Sequence, residues 1–135
     1  MVLFVFLWLN TLQNMKKFIL LTGLCVSLTG IKAFSQTTIA AKDAAKHLNE
    51  KVIVCDKVYG GKFLSGSNLT LVDVGGSHPD ELLTLIIKGD DRKKFKNPPE
   101  EDLKGKKVCI TGQIIDYKGK PEIAITDPEQ IKVQE

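Results

Sequence analysis

The sequence predicts an all-β domain: a five-stranded Greek-key barrel with a short N-terminal helix ahead of it and a helical insert between its third and fourth strands. Three observations carry this. From Lys51 onward the apolar residues fall into short runs, most of them alternating with period two. Breaks rich in Gly, Ser, Asn, Asp and Pro separate the runs. One polar stretch, DDRKKFKNPPEEDLKG (90–105), interrupts them after the third. A chain of 135 residues has room for one modest domain and none for a multi-domain enzyme.

Residues 15–35, MKKFILLTGLCVSLTGIKAFS, have the pattern of a secretory leader: a basic start, an apolar centre from Phe18 to Ile31 and a small-residue exit at Ala33-Phe34-Ser35. Cleavage is expected before Gln36. The stretch MVLFVFLWLNTLQN ahead of Met15 reads as an upstream start codon taken for the true one. Leu24 before Cys25 argues against lipidation there. The expected location is the periplasm or the exterior, with no stable membrane insertion after cleavage. Residues 1–35 hold three of the 19 basic residues (Lys16, Lys17, Lys32) and no acid, so residues 36–135 carry 16 basic and 16 acidic side chains. The formal charge of +3 therefore belongs to the leader, and a domain-wide polycation is excluded.

Residues 36–50 form an arm or short helix, in which Ile39, Ala44, Ala45 and Leu48 could make one apolar stripe. The domain proper spans 51–135. Its first strand starts at KVIVCDKVYGG, with Val52, Val54 and Val58 on one face, and is prolonged through Lys62-Phe63-Leu64. SGSN (65–68) leads to a second strand, LTLVDVGG (69–76), and SHPD turns the chain into a third, ELLTLIIKG (81–89). So short a connection makes these two an antiparallel hairpin. Pro98-Pro99 splits the polar insert into one helical turn around Arg92–Lys96 and another around Glu100–Leu103. Strands over 106–116 and 121–126 follow, joined by a tight turn at Tyr117-Lys118-Gly119-Lys120.

Five strands with a helical insert between the third and fourth is the order of the OB-fold. The runs FLSGSNLTLVDVGG, GDDRKKFKNPPEEDLKGKKVCITGQI and YKGKPEIAITDPEQI resemble the OB-fold domains of small exported bacterial proteins of the Bacteroidetes type, a nucleic-acid-binding-like family, over residues 40–131. The most specific piece is V-C-I-T-G-x-I-x-x-Y-K-G-K-P-E-I. Once Cys25 leaves with the leader, Cys55 and Cys109 remain, either as one disulfide or as two separate buried thiols. In the barrel that pattern and resemblance share, strands one and four lie side by side, which favours the Cys55–Cys109 disulfide.

Nucleic-acid-binding OB domains use the face of strands two and three with the flanking one–two and four–five loops, combining stacking rings with cations. Tyr59, Lys62 and Phe63 flank the first loop here, and Tyr117, Lys118 and Lys120 crowd the second; Lys88 and Arg92 complete the candidate ligand set. Thr70, Val72, Thr84 and Ile86 give the platform no stacking ring. Arg92-Lys93-Lys94-Phe95-Lys96 is the densest basic run, but Asp90, Asp91, Glu100, Glu101 and Asp102 bracket it. It reads as a solvated cap over the barrel end with Phe95 turned inward.

Catalysis has little support. His47 and His78 lack specific partners in sequence, an Asp73–His78–Asp80 metal cluster consists of ordinary turn residues, and no phosphate-binding glycine loop or nucleophile elbow is present. No enzyme, metal or cofactor is expected. The leading ligand is single-stranded nucleic acid or another polyanion; the alternatives are a protein-interaction or envelope-structural module and a binder of small solutes or oligosaccharides.

Overall fold

The computed structural model describes residues 35–135; the leader and the upstream stretch lie outside them. Seven strands run β1 (Thr38–Ile39), β2 (Lys51–Leu64), β3 (Leu69–Val74), β4 (Leu83–Lys88), β5 (Lys107–Tyr117), β6 (Lys120–Ile125) and β7 (Ile131–Val133). The five long strands are those expected from the pattern. β1 and β7 are additions, too short at two and three residues to leave a periodic signal.

The pairing order is β1-β2-β3-β4-β6-β5-β7, and a further pairing of β2 with β5 closes the five long strands into a ring. All ring pairings are antiparallel except β4 with β6. One strand serves two neighbours: β2 pairs with β5 from Lys51 to Lys57 and with β3 from Val58 to Leu64. The hand-over coincides with an irregularity between Val58 and Gly60, where one extra residue bends and twists the strand. Gly61 then passes so close to β3 and Glu100 that a Cβ would collide with the Leu71 carbonyl.

Alternation places the core, with Val52, Val54 and Val58 on one face as the sequence predicts. Val52, Val54 and Val58 of β2, Val72 and Val74 of β3, Leu83, Leu85 and Ile87 of β4, Val108, Ile110 and Ile114 of β5, and Ile123 and Ile125 of β6 are buried. The N-terminal arm differs from the expected stripe. It is a 3-10 turn, Ala41–Lys46, and buries Ala41 and Ala44. A helix with three residues per turn aligns positions i and i+3, so Ala45 is exposed and Leu48 stays at the surface. The Ala41 N–H donates to Asp56 Oδ2 (3.1 Å), tying the turn to β2.

The insert begins earlier than its charge pattern implied. Gly89–Arg92 is one helical turn that continues directly from β4, and Pro99–Asp102 is the second, with Pro99 buried at its first turn. Leu103 joins the core and Phe95 packs against it. No helix among the described residues is long and apolar enough to cross a membrane.

Cys55 and Cys109 stand directly opposite each other in the β2–β5 register and form a disulfide. A cross-link spanning 54 positions removes about 4 kcal/mol of unfolded-chain entropy in the loop-closure account. We therefore expect Cys55→Ser and Cys109→Ser each to lose roughly that amount. Denaturant unfolding with and without reductant checks it, since reduction should lower the midpoint of the native protein and leave the variants unmoved.

Candidate ligand-binding site

Parity along the strands fixes the outer face of the β3–β4 hairpin. With Val72, Val74, Leu83, Leu85 and Ile87 inside, Leu69, Leu71 and Asp73 of β3 and Thr84, Ile86 and Lys88 of β4 point outward. Thr70 and Val72, taken from sequence as part of a platform, face the core instead. The registers resolve this face into rows. Leu64, Leu69 and Lys88 form one row, Lys62, Leu71, Ile86 and Ala124 the next, and Gly60, Asp73, Thr84 and Glu122 a third.

The predicted ligand residues divide between the two ends of the hairpin, with Phe63, opposite the inward-facing Thr70, on the other side of β2 from Lys62. Lys62, Phe63, Lys88 and Arg92 belong to the end where β2 and β4 terminate. Tyr117, Lys118 and Lys120 belong to the other, where β5 turns into β6 beside the β3–β4 connection. Five residues of strand, about 17 Å, separate the ends. Tyr59 lies at the β2 irregularity, half exposed, with the Lys57 ammonium 5.3 Å from its ring centre.

At the insert end, Arg92 is held from both sides. Its guanidinium lies 4.4 Å from the Phe63 ring centre and donates two hydrogen bonds to Glu100, at 3.0 Å to Oε2 and 2.9 Å to Oε1. This fork, with the two side chains 21% and 10% exposed, ties the two helical turns of the insert together, and the Phe63 contact sets Arg92 against β2. Beside it opens a cavity of about 320 Å³. Phe63 and Phe95 supply rings, Arg92, Lys93 and Lys96 supply cations, Asn68 and Asn97 supply carboxamides, and no lining residue is a carboxylate. Gly89 forms part of the wall because a Cβ there would run into the Asn68 carboxamide. The sequence points to Phe63 and Arg92 but not to Asn68 and Asn97, which have the look of turn residues, nor to Lys96, whose run is bracketed by acids. Those acids are occupied, Asp90 by Lys93 (3.1 Å) and Asp91 by Lys94 (2.8 Å).

Lys62 borders two other cavities. One, of about 540 Å³, includes Glu100 and Glu101; the other, of about 420 Å³, lies over Leu64 and Leu71 and includes Asp73 and His78. At the far end the Lys120 ammonium donates to Glu81 Oε1 (2.9 Å) and the Pro79 carbonyl (3.2 Å). Burial alone would raise Glu81, but Lys120, helped by His78, holds its carboxyl below the ordinary value. His78 Nδ1 stands 3.4 Å from Glu81 Oε2, near enough for charge attraction although that oxygen has no hydrogen bond. Tyr117 is half exposed, and Lys118 and Gly119 adopt the left-handed conformation of a tight hairpin turn, with the Lys118 ammonium 5.3 Å from the Tyr117 ring centre. No cluster of three His, Cys, Asp or Glu suited to a metal ion is found among the described residues.

Asp73 and Glu122 are the outlying charges of the face. Burial, reinforced by Glu81, raises the Asp73 carboxyl, and burial raises Glu122.

No protein-family model and no curated protein matches the sequence. Similar solved structures include asparaginyl-tRNA synthetase from Pyrococcus horikoshii, at 12% identity and a TM-score of 0.47, covering 70% of this chain and 22% of that one. Another is yeast Stn1 and Ten1, at 14% identity and a TM-score of 0.49, covering 76% of this chain and 65% of that one. The chain thus spans less than two thirds of either.

Two outcomes follow. Arg92→Ala removes both hydrogen bonds to the Glu100 carboxylate at a mostly buried position and should cost about 2 kcal/mol, less than a fully buried pair because Arg92 is one-fifth exposed. Arg92→Lys should recover only part, since an ammonium cannot make the fork. For Asp73, the folded state keeps a proton that the unfolded chain has already released, so its contribution to stability falls as pH rises from the ordinary value of 3.8 through the raised one. Asp73→Asn should match the native protein in stability below that window and exceed it above, which thermal melts from pH 3 to 7 would show.

Proposed function

We propose that residues 51–133 form an OB-fold barrel that acts by binding, and that its ligand is single-stranded nucleic acid held at the cavity beside the helical insert. The ring order supports the fold: numbered within the ring alone, the strands pair 1-2-3-5-4-1 with the third and fifth parallel, the closed Greek-key arrangement of that class. The ligand reading rests on one observation, the meeting of two phenylalanine rings, three cations and two carboxamides in a cavity without carboxylates. Such a set matches an unpaired nucleotide: rings and the guanidinium plane for the base, amides for its edge, lysines for the phosphate. Arg92 already covers part of Phe63, so Phe95 and the guanidinium itself are the surfaces offered to a base. The protein works outside the reducing cytoplasm in this account, which the Cys55–Cys109 cystine supports.

A second reading, a protein-interaction module, draws on Leu64, Leu69, Leu71 and Ile86, an apolar patch on the insert-end half of the outer face. Fluorescence anisotropy of a labelled oligothymidylate against the purified protein decides between them. Binding should weaken steadily with salt, and Lys93→Glu with Lys96→Glu should reduce affinity at least about tenfold. Absence of binding at low salt, or binding indifferent to these two charges, excludes the nucleic-acid reading.

A further inference from the structure

The outer face of an OB barrel offers a path for a strand from one flanking loop to the other, and here the registers place an acidic row across that path. Asp73 pairs with Thr84 and Thr84 with Glu122, so the two carboxylates lie on the same face in one line perpendicular to the strands, two strand spacings apart. That line separates the insert-end cavity from Tyr117 and Lys118. Both side chains are half-buried, and burial raises each carboxyl. Two acidic side chains in one row on this face oppose a phosphate backbone laid over them. Of the cations at the turn beyond the row, Lys120 is committed to Glu81 and Pro79, while Lys118 lies against Tyr117 with no ion pair among the described residues.

At the insert end Lys62 and Lys88 of the outer face carry no ion pair among the described residues, but the cations of the insert itself are mostly committed. Arg92 is bound to Glu100, Lys93 to Asp90, and Lys94 to Asp91 and the Thr126 carbonyl. Lys96 carries no ion pair among the described residues. A cavity of about 320 Å³ with one uncommitted ammonium is matched to one base and one or two phosphates.

Resting on the nucleic-acid reading above, we infer that the ligand is a short unit of one or two nucleotides held in the insert-end cavity, and that the Asp73–Glu122 row prevents an extended strand from crossing the barrel. Base and phosphate are the recognised chemistry, whether they come as a free nucleotide or as a segment of a longer strand.

The test uses the purified native protein with thymidine monophosphate, a trimer, a 12-mer and a 24-mer of oligothymidylate over a series of salt concentrations. Affinity should change less than about threefold from trimer to 12-mer once the number of equivalent positions is counted, and log K should fall with log salt at a slope near −1, as one or two phosphate contacts give. Monophosphate binding as tight as the trimer would identify a free nucleotide as sufficient; trimer binding alone would identify a segment of strand; either supports the inference. The Asp73→Asn, Glu122→Gln double variant should gain at least about fivefold for the 12-mer and nothing for the trimer, because only the longer strand reaches the row. Native affinity that climbs tenfold or more with length, with a slope of four or more phosphates, overturns the inference while leaving the nucleic-acid reading standing. So does a double variant whose 12-mer affinity is unchanged. Failure of every length to bind at low salt overturns the nucleic-acid reading itself.

Discussion

β2 is the constraint on which the rest depends. It is the strand that closes the ring, lying against β5 over its first half and β3 over its second, and the irregularity at Tyr59 is where it changes partner. Before that point, the Cys55–Cys109 cross-link ties it covalently to β5. After it, Gly61 permits the close approach to β3, and Phe63 receives the Arg92 guanidinium that fastens the insert. The candidate cavity therefore exists because β2 bends: its Phe63 wall belongs to the strand, and the opposite wall belongs to an insert tied together by Arg92 and Glu100 and set against β2 by the Phe63 contact.

Charge is arranged locally rather than globally. Residues 36–135 have equal numbers of acids and bases, and several of the bases are spent in short-range pairs on their own turn, such as Lys93 with Asp90 and Lys94 with Asp91. Pairs of this kind contribute little stability at an exposed surface. The acids of the segment lie outside the cavity, so a segment balanced on paper presents a cationic lining. The outer face shows the converse. Asp73 and Glu122 flank Thr84 in one row, and burial shifts both upward.

Most of the barrel was legible in the sequence because period-two alternation survives in each long strand: Val52-Val54-Val58 and Leu83-Leu85-Ile87 face inward as the pattern requires. β1 and β7 were not, since two or three residues define no period. The stripe proposed for the arm failed because a 3-10 turn selects Ala41 and Ala44 where an α-helix would select other positions. For the site, the division of candidate residues between two ends 17 Å apart, roughly, depends on register, which no local pattern encodes. The same holds for the row of Asp73, Thr84 and Glu122, three residues from three strands. Asn68 and Asn97 read as turn residues, and only the fold brings them to one cavity.

The central claim is that ligand enters beside the insert. Amide chemical-shift mapping of the isotopically labelled protein during titration with a short oligothymidylate addresses it most directly. The account predicts shifts concentrated at Asn68, Gly89, Phe95, Lys96 and Asn97, with Leu71, Ile86 and the Tyr117–Lys120 turn nearly unmoved. Shifts centred on that turn or spread along the β3–β4 face would contradict it.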